Sequence, residues 1–171
     1  MIELINPQEI SSEEVEHIWQ SLSSVEIACD DRLRGRGDLF VLSMFHGTAY
    51  VKLGNFGIAS ACNVVPNGDA TVHFVIWDRS QPLEVVRTCK EALRLAFDQY
   101  NLHRVTTTIA EQNSDSLRVA RLLGFQEEGR LRQAFLFKGQ FHDMIVLGVL
   151  RSDLFDEVSA PESEPRSTEV N

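Results

Sequence analysis

The stretch WDRSQPLEV, residues 77 to 85, links a β-patterned run to a strongly periodic helical one. A helix N-terminus offers unpaired amides and a favourable dipole to an anion such as a phosphate. Arg79 and Ser80 stand in this junction, with Arg87 and Lys90 further along the helix as additional bases. The junction has no glycine, so its amides cannot wrap an anion as closely as a glycine-rich loop does, and Pro82 removes one donor. Asp78 and Glu84 add negative charge there. Side chains would have to replace amides as phosphate ligands, or these bases simply form a solvated helix face. His73, four residues upstream of Trp77, has an imidazole that titrates near neutrality. RLRGRGD, residues 32 to 38, places three arginines around two glycines, yet it fits no phosphate-cradling spacing and reads as a solvated loop. The five histidines are scattered over different elements and Cys29, Cys62 and Cys89 lie far apart, so no metal site is expected.

These side chains need a frame. In SSEEVEHIWQSL, Ser11 is an N-cap with Glu14 three residues on, and Val15, Ile18, Trp19 and Leu22 share one helical face. DLFVLSMF, TAYVKLG and GIASACNVV read as successive strands, and PNGD turns the last into ATVHFVIW. Alternation there sets Val72, Phe74 and Ile76 on one face, and His73, Val75 and Trp77 on the other. After Pro82 the apolar residues from Val85 to Tyr100 recur at helical spacing, with Ser80 as the expected cap. RVTTTIA is a strand, NSDSLRVARLLG a helix capped at Asn113 or Ser114 and stopped at Gly124, and RQAFLFKGQF and DMIVLGVL pair through a turn at residues 138 to 140. The order predicts an α+β, mixed α/β sandwich with crossover helices.

Composition sets outer limits. The chain has 171 residues, 43% hydrophobic and 24% charged, which suits one soluble domain. No apolar run could span a bilayer and the N-terminus lacks a secretory pattern, so a cytoplasmic location and no membrane partner are expected. The net charge of -9 is uneven: -8 over residues 1 to 31, +3 over 32 to 155, and -4 over 156 to 171. That sign disfavours nucleic acid as a partner. Residues 1 to 155 are read as the domain, and the acidic segment DEVSAPESEPRSTEVN, 156 to 171, as a disordered tail.

The run NLHRVTTTIAEQNSDSLRVARLLGFQEEGRLRQAFLFKGQFHDMIVLGVLRSDLF resembles the C-terminal half of the GCN5-related N-acetyltransferase (GNAT) superfamily, with greatest similarity to the branch that acetylates ribosomal-protein N-termini. LHRV, AEQN, SLRVARLLGF, EEGRLR and the F-x-G-x-x-HD turn at residues 137 to 143 carry the resemblance, in order, over residues 70 to 155. It implies a mostly antiparallel sheet of six or seven strands with flanking helices, splayed between residues 70 to 77 and 104 to 110. It also implies that acetyl-CoA lies in the splay, with its pyrophosphate at the helix after the fourth strand. Arg79, Ser80, Arg87, Asn113 and Ser116 then become cofactor-binding candidates. Ser116 or a water becomes the candidate acid for the leaving thiolate, and His73 the candidate base for the attacking amine.

Each role has a plainer counterpart: Asn113 as a helix cap, Ser116 as a first-turn hydroxyl, His73 as a packed histidine. His142 and Asp143 match the family's HD pair and read as structural or substrate-edge groups. Three functions follow from the resemblance. One is transfer of an acetyl group from acetyl-CoA to a primary amine of a protein N-terminus or a small molecule, by direct attack. Another is a catalytically degenerate protein of this fold, serving in binding, assembly or regulation. A third keeps coenzyme A but changes the acyl group or holds it as a non-catalytic ligand. Partners in these readings are the amine-bearing protein or small molecule, a protein partner, and a second copy in a homodimer.

Overall fold

A computed structural model describes residues 1 to 155, and the expected disordered tail lies outside the described residues. After a two-residue strand β1 (Glu3–Leu4), helix α1 (Ser12–Ser23) starts where the capping pattern predicts: the Ser11 hydroxyl accepts the Glu14 amide at 3.2 Å. Glu14 does not close the box on Ser11, because its carboxylate is paired with Lys52 on a neighbouring strand. Ile18 and Leu22 are buried from this helix.

The first correction comes at DLFVLSMF, expected as a strand. Gly37–Phe45 is helix α2, with Phe40 and Met44 buried one turn apart and Asp38 in its first turn. Six apolar residues in a row of nine erase the contrast between periods of two and of 3.6, so the pattern alone could not decide. Packing decides it: Phe40 stacks on Trp19 of α1 at 5.7 Å and meets the Tyr50 ring edge-on at 5.3 Å.

The remaining strands are β2 (Ala49–Lys52), β3 (Gly57–Cys62), β4 (Asp69–Ile76), β5 (Arg104–Ala110), β6 (Gln126–Phe137) and β7 (Gln140–Leu150). They form one sheet in the order β1-β2-β3-β4-β5-β7-β6, in which only the β4–β5 pair is parallel. The mixed α/β, mostly antiparallel seven-stranded sheet expected from the sequence is therefore present. Helix α3 (Pro82–Gln99) crosses from β4 to β5, as a parallel connection requires, and α4 (Ser114–Leu122) lies between β5 and β6. A short α5 (Arg151–Phe155) follows β7. The PNGD and KGQ turns join their strands as expected, with Lys138 and Gly139 both at positive φ in the second.

Each face of the sheet has its own core. Ala70, Val72, Val105, Ile145, Leu147 and Val149 pack on one side with α3 and α4, whose Cys89, Leu93 and Phe97 are almost fully enclosed. Ile58, Val75 and Trp77 pack on the other side with α1 and α2.

A second correction concerns Ser80. The N-cap of α3 is Gln81, which makes no side-chain cap bond, while the Ser80 amide donates to Asp78 Oδ1 at 2.8 Å. Pro82 accounts for this, since it keeps the preceding Gln81 out of helical geometry (φ −126°, ψ 77°) and the helix starts at Pro82 itself.

Candidate active site

Strands β4 and β5 pair at only three positions, Asp69 with Arg104, Ala70 with Val105 and Thr71 with Thr106. β4 stays paired with β3 to Ile76, and β5 stays paired with β7 to Ala110. The strands therefore part after Thr71 and Thr106, and their facing edges carry backbone groups that no strand partners. A cavity of about 610 Å³ occupies the gap. Register shows that it passes through the sheet: Phe74, Ile76, Thr107 and Ile109 line it from the α3/α4 face, while His73, Val75, Thr108 and Ala110 line it from the opposite face.

On the α3/α4 side, the first turn of each helix borders the opening through Pro82, Leu83, Asn113, Asp115 and Ser116. Leu83 is 87% exposed at this rim. Asn113 is the cap of α4, its Oδ1 accepting the Ser116 amide at 3.2 Å, so the cap reading and a place on the cavity wall hold together. Arg79 reaches across the opening and pairs with Asp115 at 2.6 Å. Arg87 is turned along its own helix, bonded to Glu84 at 2.5 Å and Glu91 at 2.8 Å, and its guanidinium holds the Glu84 carboxyl below its usual range. Neither Ser80 nor Arg87 lines the cavity; His73, Arg79, Asn113 and Ser116 all do.

On the other face, burial holds the His73 imidazole below its ordinary pKa, so it is a neutral base at pH 7. Above it the segment from Val25 to Ala28 covers the chamber. Asp30 pins that segment: its carboxylate accepts from Arg32 at 2.7 Å and from the Leu136 amide of β6 at 2.8 Å. Arg32 foremost, with the Leu136 amide adding, holds its carboxyl well below the usual carboxylate range. The arginines of RLRGRGD are thus structural, with Arg32, Arg34 and Arg36 paired to Asp30, Asp31 and Asp38. Asp143 of the HD pair accepts the Gln133 amide at 2.9 Å and meets Arg130 at 3.0 Å, beside a register shift in β6, which is a structural role.

Two groups of residues escaped the sequence reading. Asp115 was visible beside Asn113 and Ser116, but nothing local signals that it faces Arg79, 36 residues away. Val25, Ile27 and Ala28 lie in a segment without periodicity, placed by bonds of Glu26, Asp30 and Asp31 to residues more than 100 positions later. Among the described residues no cluster of His, Cys, Asp and Glu is arranged to hold a metal, and no helix is long and apolar enough to cross a membrane.

No family model matches the chain. YokL of Bacillus subtilis, an uncharacterized prophage-derived N-acetyltransferase by name, is 36% identical over 61 residues, which cover 36% of this chain and 34% of that protein. YdaF of the same organism, which bears a ribosomal N-acetyltransferase's name, is 29% identical over 69 residues, 40% of this chain and 38% of the relative. These matches thus span little more than a third of either relative. Solved structures match over far more. The Vibrio cholerae spermidine N-acetyltransferase, crystallised with CoA and spermine, superposes with a TM-score of 0.71 at 19% identity, covering 90% of this chain and 97% of that one. A Bacillus anthracis acetyltransferase of the GNAT family gives 0.66 at 15% identity over 87% of this chain and 94% of its own. With its strand order, its crossover helix and its sheet parted between β4 and β5, the chain has the fold of the GCN5-related N-acetyltransferases.

Proposed function

We propose that the chain is an N-acetyltransferase that moves an acetyl group from acetyl-CoA to a primary amine, by direct attack of that amine. The observation that carries this reading is the cavity through the sheet at the three-pair splay. Its volume falls within the range of ordinary small-molecule sites, and its two mouths allow donor and acceptor to enter from opposite faces. The residues fit the pantetheine arm, because the facing edges of β4 and β5 offer unpartnered backbone donors and acceptors along a mostly apolar slot. When bound, acetyl-CoA supplies a thioester whose carbonyl accepts an amine and whose thiolate departs.

His73 supplies the proton acceptor. Its neutral imidazole lies on the chamber wall opposite the helices and can take a proton from an incoming amine. Ser116, on the helix side, is the hydroxyl available to protonate the departing sulfur, and Asn113 beside it orders that turn. Arg79 is the side chain best placed for the pyrophosphate. Ser80 and Arg87 contribute less in this reading, since neither reaches the cavity wall. The similarity to YdaF and the motifs of the second half support a protein N-terminus as one acceptor type; a small amine is the other.

A second reading, a degenerate protein of this fold that binds or assembles without catalysis, is favoured by a specific feature. Both bases near the start of α3 are already neutralised, Arg79 by Asp115 and Arg87 by Glu84 and Glu91. Calorimetric titration with acetyl-CoA separates the two. Saturable binding followed by acetylation of an amine supports the enzyme. Binding without transfer moves the chain to a non-catalytic coenzyme A protein, and no binding at millimolar ligand leaves the degenerate reading standing.

A further inference from the structure

Among the described residues, the chamber on the His73 side of the sheet has walls without a carboxylate. β4 and β5 contribute His73, Val75, Thr108 and Ala110 to it, and Val25, Ile27, Ala28, Phe135 and Met144 complete it. The acidic residues that flank these positions in the chain are all engaged elsewhere. Glu26 pairs with Lys138 at 2.9 Å, and Asp30 is held by Arg32 and the Leu136 amide. Asp31 is held by Arg34 and by the Gly139 amide. Glu111 and Asp143 share Arg130 at 2.6 and 3.0 Å. The one carboxylate among the lining residues, Asp115, sits at the opposite mouth and is paired with Arg79.

A polyamine entering this chamber would bring further ammonium groups into an apolar enclosure with no counter-charge, and that desolvation is unfavourable by several kcal/mol per unpaired charge in general. An amine borne on an uncharged apolar group brings only the one ammonium that reacts and gains from burial against Ile27, Phe135 and Met144. We propose that the acceptor is a primary amine carried on a compact, uncharged, apolar group, and that polyamines are excluded. The nitrogen faces His73 and Thr108, the two polar side chains of this wall, while the apolar group occupies the space beneath residues 25 to 28. This rests on the acetyltransferase reading for the identity of the chamber as the acceptor side. The fold likeness to a spermidine enzyme accordingly does not carry its acceptor over.

Equilibrium binding of 2-phenylethylamine and of spermidine to the full chain at pH 7, by saturation-transfer NMR with and without coenzyme A, is the test. The expected result is saturable binding of 2-phenylethylamine at least about tenfold tighter than of spermidine. Ile27→Glu and Ala28→Asp, at half-buried positions that tolerate polar groups, are expected to weaken the first ligand and strengthen the second; a thermal melt of each shows that it is folded. Equal or tighter binding of spermidine by the unaltered chain overturns the proposal. So does the absence of saturable 2-phenylethylamine binding in both conditions. A chain that prefers 2-phenylethylamine yet fails to bind coenzyme A loses the acetyltransferase reading and keeps the chamber's selectivity, so the two failures are distinct.

Discussion

Arg79 has to choose between two anions, the Asp115 carboxylate at 2.6 Å and any phosphate that approaches the start of α3. Both side chains are half-exposed or more, so solvent weakens their attraction and a ligand can displace it. Asp115→Asn is expected to tighten coenzyme A binding by up to about fivefold, the scale of one exposed ion pair, and Arg79→Ala to weaken it, both effects shrinking at high salt. Titration calorimetry at two ionic strengths reads this directly. His73→Gln removes the proton acceptor while keeping much of the shape; turnover is expected to fall roughly 10²- to 10⁴-fold. In the unaltered protein the acidic limb of the rate profile should lie below the ordinary imidazole value, because burial depresses His73, and the variant should lack that limb. His73, Arg79, Asn113 and Ser116 were legible in the sequence, since His73 lies on a strand, Arg79 in the connection before a helix, and Asn113 and Ser116 at the start of one, all of which local pattern reveals. Asp115 as partner of Arg79 was not, because charge pairing across a cleft leaves no trace in spacing.

Elements were legible where polar and apolar residues alternate with a clear period. α1, α3, α4 and the β3–β4 and β6–β7 hairpins fall in this class, with caps or turn residues at their ends. α2 was not, because an almost wholly apolar stretch satisfies either period and its helical state depends on stacking against Trp19 and Tyr50. Two elements meet at a point where space is strictly limited: a Cβ at Gly57 would collide with the Val75 carbonyl across the β3–β4 ladder. Gly57→Ala is expected to lower stability by about 1 to 3 kcal/mol, the usual range for overpacking, and to shift the urea midpoint accordingly. The Asp30 bonds tie the residue 25 to 38 segment to β6, and its side chain is only 10% exposed. Asp30→Asn loses the charge-assisted bonds to Arg32, and a cost of about 1.5 to 3 kcal/mol is expected, with acceptor binding weakened as residues 25 to 28 loosen.

At the scale of the whole molecule, two titrations act in the same direction on stability. The Asp30 carboxyl is depressed on folding, so its contribution is complete above the unfolded value of about 3.9 and is lost as pH falls towards its folded value. The His73 imidazole is also depressed, and being buried neutral it too withdraws stability as pH drops below about 6.5. The unfolding midpoint should therefore decline in two stages on acidification, which denaturant melts across the range will show. Cys89, fully enclosed in α3 with its thiol pushed up to about 12, should react with a thiol reagent only after global unfolding, whereas half-buried Cys29 and Cys62 react sooner. The joint between the two halves of the sheet has a mechanical meaning as well. β3 with β4 and β5 with β7 pair along their facing lengths, while three residue pairs connect β4 to β5. Outside those pairs the two halves are joined by the core they share beneath α3, so along the gap side-chain packing stands in for strand-to-strand hydrogen bonding. A guest hydrogen-bonded along it would brace the two halves as a crossbar does a frame.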